Sequence, residues 1–281
     1  MRQQQTFPAL LDENDKLTEK QVAEDPPELL ASIPSVTVDD LEKNGYEPPI
    51  VVQEDREGSG VTVLLHEVVT SFGIVWVDFG VDISMLEYDD IILSPLLARL
   101  MVDAGTGKYS AVQVAREIGI NTGGIDAEIL LDTILPQNTT AQYQVPSGDH
   151  FHSKLFMRGA AMRDKAPKLL ELLAEIMFRP LLDSQERASG ILRERISELE
   201  QELTSDSERF ASQRLHARYT PFKFIEEKYS GVTSIPALRE ILELAENDWG
   251  TLLARLQKMK EAIVGSNRNG MILNLTGTFV D

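Results

Sequence analysis

The chain predicts an α+β domain in which an antiparallel or mixed sheet carries helices packed on one face. Three observations lead there. Segments rich in β-branched and aromatic residues come in two pairs, residues 61–69 with 73–82 and residues 124–134 with 149–162. From Asp164 onward, Leu and Ile recur at helical spacing in several successive stripes. Residues 270–276 then add one more short strand. Strand, strand, helix, helix, strand, strand, several helices, strand is the order of an α+β layer structure.

Each element has a local cause. Ser71-Phe72-Gly73 supplies a short turn, so residues 61–69 and 73–82 are expected to form a hairpin. Ser94-Pro95 reads as a helix start, with Ser accepting from first-turn amides and Pro where no donor is needed. Leu96, Leu97, Leu100, Met101 and Val102 make that helix apolar over most of its circumference, which predicts burial. Gly105 and Gly107 end it. Ser110 with Gln113 makes a capping box for the next helix, expected to stop at Gly119. Thr122-Gly123-Gly124 then opens a strand, and a polar loop over 136–148 separates it from its pair. Leu169, Leu170, Leu172, Leu173, Ile176 and Met177 mark a helix capped by Asp164 and stopped at Arg179-Pro180. Leu192, Ile196, Leu199 and Leu203 stripe a long helix. Leu238, Ile241, Leu242, Ala245 and Trp249 stripe another, and Leu252, Leu256, Met259 and Ile263 one more.

Residues 1–57 differ in composition from residues 58–281. Asp, Glu and Pro are dense, as in Asp25-Pro26-Pro27-Glu28 and Tyr46-Glu47-Pro48-Pro49, and the apolar residues follow no period. The reading is an acidic, Pro-rich linker ahead of one α+β domain, because such a segment buries too little apolar surface to offset its ordering entropy.

Composition bounds the function. With 27 Lys+Arg against 45 Asp+Glu the net charge is -18, which repels nucleic acid and anionic membrane surfaces and attracts cationic ligands. The absence of Cys excludes a disulfide framework, thiolate metal ligands and a cysteine nucleophile. No apolar run approaches the length of a membrane span. Residues 1–11 hold one Arg and are followed by Asp12, Glu13 and Asp15, a pattern unsuited to a cleavable targeting helix.

Small motifs yield no self-sufficient active site. Gly105-Thr106-Gly107-Lys108 departs from the phosphate loop, because Val102 stands where its first Gly belongs and Tyr109 where Ser or Thr would bind magnesium. A helix-ending corner is the reading. His150-Phe151-His152 puts two imidazoles on one face of a strand, yet a zinc site needs further ligands and the chain has four His in all. His66-Glu67 begins a zincin His-Glu-x-x-His, but residue 70 is Thr, and no inverted His-x-x-Glu-His occurs. His216 has no partner pattern. Asp183-Ser184 reads as a helix cap, and Glu194 to Glu202 as a solvated helix face. No catalytic, cofactor-binding or metal residue is assigned.

The joints carry a resemblance. Ser71 to Ile125, with its strand, two capped helices, Gly-rich corner and Thr122-Gly123-Gly124 break, resembles the third domain of the presequence-protease and falcilysin branch of the pitrilysin-type zinc metallopeptidases. Ile33-Pro34-Ser35-Val36-Thr37-Val38-Asp39-Asp40-Leu41 resembles the end of the helical linker joining that family's two halves. The run from Ile118 to Ile125 is similar to its helix-to-strand joint, and His152 to Met162 to the strand entering its long helices. Ser205 to Leu215 resembles a later helix break, with Asp206, Ser207 and Glu208 departing from the family's usual Ser-Gly-His. The likeness spans about residues 33–281.

The resemblance implies a pitrilysin-like domain within a two-halved peptidase that closes around a peptide chamber. In that family an inverted His-x-x-Glu-His in the first domain holds zinc, and the last domain contributes an Arg and a Tyr that hold the peptide. No position here matches these residues. The implied function is a non-catalytic, chamber-forming domain of a zinc metalloendopeptidase that degrades targeting presequences and other short unstructured peptides. The expected partners are the parent's remaining domains and basic unstructured peptides, with no nucleic acid and no membrane. The resemblance places such a protein in the mitochondrial matrix or chloroplast stroma, with zinc bound outside this chain. The alternative is a freestanding, inactive peptide-binding or assembly protein on the same fold.

Overall fold

The computed structural model describes residues 7–41, 43, 49–53, 60–68, 71–133, 151–265 and 270–278. The chain divides into two compact units, Met1–Glu47 and Pro48–Asp281. The polar loop read over 136–148, with Asp149 and His150, lies outside the described residues.

The first unit carries helix α1 (Phe7–Val22), the short α2 (Pro27–Leu30) and a 3-10 turn over Val38–Asp40. Composition alone had made this stretch a linker. Good helix formers (Leu, Glu, Lys, Gln) between Leu10 and Val22 account for α1, along with a Lys16–Asp12 ion pair one turn apart at 2.6 Å. Asp40 accepts from the Thr37 amide at 2.8 Å and hydroxyl at 2.7 Å, and these bonds hold its carboxyl below the usual range.

The second unit holds β1 (Ile50–Gln53), β2 (Val61–Glu67), β3 (Ile74–Asp82), β4 (Ile125–Thr133), β5 (Phe151–Met162) and β6 (Met271–Gly277). Among the described residues these six make one mixed sheet in the order β1-β2-β6-β3-β5-β4. β1 falls inside the span read as linker, and its register runs Ile50 opposite His66 to Gln53 opposite Val63.

The expected hairpin between residues 61–69 and 73–82 does not form. β6 lies between its two arms, parallel to β2 and antiparallel to β3. The connection from Glu67 to Ile74 is long enough to straddle one strand, whereas a hairpin of neighbours closes over two to five residues. Side chains lock the inserted strand to the turn. Thr278 Oγ1 donates to the Val68 carbonyl at 2.9 Å and shares a 2.7 Å hydrogen bond with Ser71 Oγ.

Among the described residues, eight helices follow the sheet's first strands: α3 (Tyr88–Asp103), α4 (Ala111–Asn121), α5 (Ala166–Phe178), α6 (Gln185–Ser205), α7 (Ser207–His216), α8 (Pro221–Ser230), α9 (Ser234–Asn247) and α10 (Trp249–Lys260). α3 and α5 pack on one face of the sheet. There Leu96, Leu97, Leu100, Met101, Leu169, Leu172 and Ile176 meet Val77, Val81, Leu155 and Met157, all nearly inaccessible. The stripes of α6, α9 and α10 form a second layer through Leu192, Leu199, Ala245, Leu252 and Leu256. The α+β class with helices on one face is thus the observed architecture.

Three helix boundaries differ from expectation. α3 begins at Tyr88 and runs through Ser94-Pro95 rather than starting there. Pro95 offers no N–H to the Ile91 carbonyl, and the buried Ser94 hydroxyl donates to that carbonyl instead at 2.6 Å. α4 has the predicted Ser110–Gln113 capping box but continues past Gly119 to Asn121. Asp164 sits in a 3-10 turn, and α5 starts at Ala166 without a side-chain cap.

Gly119 therefore occupies a helix interior, and a Cβ there would meet nothing within 4 Å. Gly119→Ala is expected to stabilise the chain by about 0.5–1 kcal/mol, since Ala loses less backbone entropy on folding. Chemical denaturation measures it, and a destabilised variant would contradict the helix interior.

The α8–α9 joint is built on a buried acid. Glu227 is fully inaccessible, accepting from Thr233 N at 3.1 Å and Thr233 Oγ1 at 2.6 Å, with Arg214 Nη1 3.6 Å away. Gly231 N donates to the Glu227 carbonyl at 2.7 Å, ending α8.

Candidate functional site

The face of the sheet turned away from the helices presents an extended surface with polar order. β4 alternates between half-buried and exposed residues, so Asp126, Glu128, Leu130 and Asp132 project from this open face. The register places Asp126 opposite Arg158, and Arg158 opposite Asp78. It continues from Asp78 to Asn274 across β6. One cross-strand row is thus Asn274, Asp78, Arg158, Asp126.

Contacts join this row to its neighbour. Asn274 Nδ2 donates to Asp78 Oδ2 at 2.9 Å, Arg158 Nε lies 3.6 Å from Asp78 Oδ1, and Arg158 Nη1 pairs with Glu128. The Arg158 guanidinium also stacks over Phe156, 5.2 Å from the ring centroid. Gly80, opposite Phe156, makes room for that ring, since a Cβ there would stand 2.6 Å from Phe156 Cε1.

Farther along, Lys154 Nζ lies 3.6 Å from Asp82 and donates to the Gly270 carbonyl at 3.4 Å. Partial burial raises the Asp82 carboxyl, but bonds from Ser84 and the Lys154 charge outweigh it, leaving Asp82 below its ordinary value. Five carboxylates (Asp78, Asp82, Asp126, Glu128, Asp132) face Lys154, Arg158 and His152. No cation stands within ion-pair distance of Asp126 or Asp132 among the described residues.

At the end of the face beside α4 the surface turns apolar. A cleft of about 320 Å³ is lined by Ile74, Trp76, Ile120, Ala160 and Met162, with Lys165, whose Nζ donates to the Ile120 carbonyl at 2.6 Å, as its charged member. Gly123 N donates to the Ala160 carbonyl at 2.7 Å, carrying the chain from α4 into the sheet. Gly124 takes φ +124°, a backbone state open to glycine, as it enters β4.

The motifs weighed from sequence fall elsewhere. The Gly105–Lys108 corner joins α3 to α4, where Leu181 N donates to the Gly105 carbonyl at 2.8 Å. Lys108 Nζ pairs with Glu171, and Tyr109 Oη accepts from Lys168 Nζ at 2.8 Å and donates to Glu171 Oε1 at 3.2 Å. The corner is an ion-paired brace between α4 and α5. His66 and Glu67, adjacent on β2, point to opposite faces. His152 lies opposite Asp132 on β5, far along the sheet from His66, while His150 lies outside the described residues. His216 Nδ1 lies 3.2 Å from Ser212 Oγ. Ser184 caps α6 by accepting from Arg187 N, as expected of Asp183-Ser184. Glu194, Glu198, Glu200 and Glu202 pair with Arg99, Arg195, Arg239 and Arg209 on the helical surface. Among the described residues no three His, Asp or Glu side chains converge to hold a metal ion, so zinc does not fit this part of the chain.

Lys108 and Lys168 hold the Glu171 carboxyl down to about 2. A depressed carboxylate contributes stability above its unfolded value and loses it as pH falls through the folded one. The Tm is therefore expected to fall between about pH 4.5 and about pH 2, and less steeply in Glu171→Gln. The difference should be small because the cluster is solvent-exposed. Identical slopes in a calorimetric pH series would remove the brace from the stability argument.

Sequence reasoning missed the open face as a unit. The signal was present in the period-two carboxylates of β4 and in Lys154 and Arg158 of β5. The join to Asn274 could not be read, because nothing local announces that β6 inserts beside β3.

Comparison with known proteins places the chain in a family. The family model for the associated domain of M16 peptidases, subfamily C, matches residues 3–241. The match takes in the segment ahead of residue 33 that the sequence resemblance had left out, and it stops at residue 241. Presequence protease 1, chloroplastic/mitochondrial, of Arabidopsis thaliana is 26% identical over 93% of this chain and 23% of its own length. Protein HypA of Clostridium perfringens is 27% identical over 98% of this chain and 26% of its own. The chain thus spans about a quarter of the length of these relatives. Among solved structures, an inactive peptidase M16 domain from Pseudomonas fluorescens aligns at TM-score 0.52 with 14% identity, covering 83% of this chain and 47% of that one. A conserved protein from Enterococcus faecalis aligns at 0.51 with 16% identity, covering 79% and 47%. At these identities the two structures speak for the fold alone. The matched residues cover most of the chain, and the expected likeness to the third domain of presequence proteases holds: the chain belongs to the peptidase-associated family of M16 peptidases, subfamily C.

Proposed function

We propose that this domain forms one wall of a peptidase chamber, with the open face of its sheet turned toward cationic, unstructured peptides. Zinc and the groups that activate water then reside on other domains of a longer protein. The observation that carries this reading is the carboxylate surplus on the sheet face opposite α3 and α5, among the described residues, in a chain of net charge -18. Targeting presequences, basic and poor in acidic residues, are the substrates that such a wall suits.

The names of plant and animal relatives suggest a mitochondrion or a chloroplast, and the matrix or stroma is the finer proposal. The Clostridium relative comes from an organism without either organelle.

The test is turnover of a basic, unstructured peptide with and without a chelator, by the isolated chain and by the full-length parent. The isolated chain is expected to be inactive and the parent chelator-sensitive. Asp126→Lys with Asp132→Lys in the parent should raise KM several-fold for the basic peptide, with the difference shrinking at high salt. Chelator-sensitive turnover by the isolated chain would overturn the reading, as would an unchanged KM in the charge-reversed parent.

A further inference from the structure

Three large apolar side chains converge at one end of the open face without being covered. Trp76, Ile120 and Met162 are 39%, 53% and 51% exposed, and all three line the cleft beside the end of α4. Isolated exposed apolar residues are ordinary, whereas three around one concavity mark a contact surface. The walls are shaped by what is small. Ala160 stands opposite Trp76 in the register, leaving the indole unobstructed by its neighbour, and Gly123 adds no side chain above the Ala160 carbonyl. Met162 gives the far end an adaptable thioether.

The charges lie at a fixed step from this cleft. One row along the sheet, two residues from Ala160, stand Arg158 and Asp126, with Asp126 free of any cation within ion-pair distance among the described residues. Asp132 lies six residues farther along β4 on the same face. An extended peptide places side chains on one face every second residue, about 6.6 Å apart, which is the spacing of the rows beneath it.

We infer that the Trp76 cleft is a subsite for one large apolar side chain of an extended cationic peptide. Its selectivity is for a basic residue two positions away, whose long side chain passes Arg158 on β5 to reach Asp126 on the neighbouring strand β4. This rests on the reading of the open face as peptide-facing and adds where on that face a side chain is chosen. The occupant is a basic peptide rather than a second copy of the chain, because a copy would bring the same acidic face against this one. The spacing also separates it from a helical ligand, whose same-face residues recur at three and four positions.

The experiment uses the whole chain carrying Trp249→Phe, so that Trp76 is the sole remaining one of two tryptophans. Fluorescein-labelled peptides containing Phe-Ala-Arg-Ala-Arg, Ala-Ala-Arg-Ala-Arg and the permuted Phe-Arg-Ala-Arg-Ala, which has no basic residue two positions from Phe, are titrated by anisotropy, with Trp76 emission followed in parallel. The first is expected to bind about tenfold more tightly than the other two, the effect of seating one aromatic side chain, and alone to shift Trp76 emission. Trp76→Ala and, separately, the surface change Ile120→Ser should erase the tenfold preference, with circular dichroism confirming the fold of each. Equal affinity for all three peptides would overturn the subsite and leave the peptide-facing reading standing. Failure of every peptide to bind would overturn both. Dimerisation of the chain that Trp76→Ala abolishes would give the cleft to a second copy and overturn the peptide assignment.

Discussion

Gly231→Ala is expected to destabilise the chain by about 3 kcal/mol, an unusually large loss for a single added methyl group. The reason is backbone against backbone. A Cβ at residue 231 would stand 2.6 Å from the Glu227 carbonyl oxygen and 2.9 Å from Glu227 Cα. No side-chain rotation relieves such a contact, so the end of α8 must open. That opening takes with it the Gly231 N to Glu227 O bond, and it displaces the buried Glu227 carboxylate from Thr233. Ser234 Oγ, which donates to the Gly231 carbonyl at 2.6 Å, loses its acceptor as well. Gly107→Ala is the control, because nothing lies within 4 Å of its added carbon, and a change within about 0.5 kcal/mol is expected. Urea denaturation of the two variants decides. A loss below about 1 kcal/mol at residue 231 would mean that the joint yields more easily than its geometry implies.

Gly159→Val should cost a comparable amount, about 3 kcal/mol, by a different route. Gly159 lies on the helix-facing side of β5, between Val77 and Ile125 in the register. A Cβ there would stand 2.6 Å from Leu169 Cδ1 and 3.3 Å from Ile125 Cγ1. Leu169 is wholly buried at the start of α5, and in a close-packed core the helix is expected to lift from the sheet. The signature is a coupling. Leu169→Ala alone opens a cavity and is destabilising by about 2–5 kcal/mol, yet combined with Gly159→Val it removes the obstruction. The double variant should be more stable than the sum of the single losses by at least about 1 kcal/mol. Strict additivity would show that the two positions do not meet.

What the sequence made legible divides along the range of the interactions. The Ser110–Gln113 cap, the Leu stripes of α5 and α6 and the stop before Pro180 depend on neighbours within a turn or two, and all are where the residues announce them. Ser94-Pro95 misled because the same pair that opens a helix can be carried inside one when the hydroxyl replaces the missing donor. α1 was missed because net charge and Pro content spoke louder than propensity over a short window. The open face was half legible, its alternating charges visible in β4 and β5 but their partners on β3 and β6 set by a pairing hundreds of ångströms of extended chain away. No nucleophile, metal cluster or phosphate loop was assigned from sequence, and the residues that now carry the candidate site are ordinary ones made distinctive only by their register.

The insertion of β6 bears on how the chain is born. Thr278 ties back to Val68 across 210 residues, and β6 hydrogen-bonds on both sides, to β2 and to β3. Without β6 the sheet divides into two pieces, β1 with β2 and β3 with β5 and β4, each ending in an unpaired row of amides and carbonyls. Helices fold locally and early, but this slot waits for the last strand, so non-local closure is expected to set the folding rate. The interval before closure is when the two raw edges face the crowded cell, and it lengthens with slower translation of the helical stretch between Ala166 and Gly265.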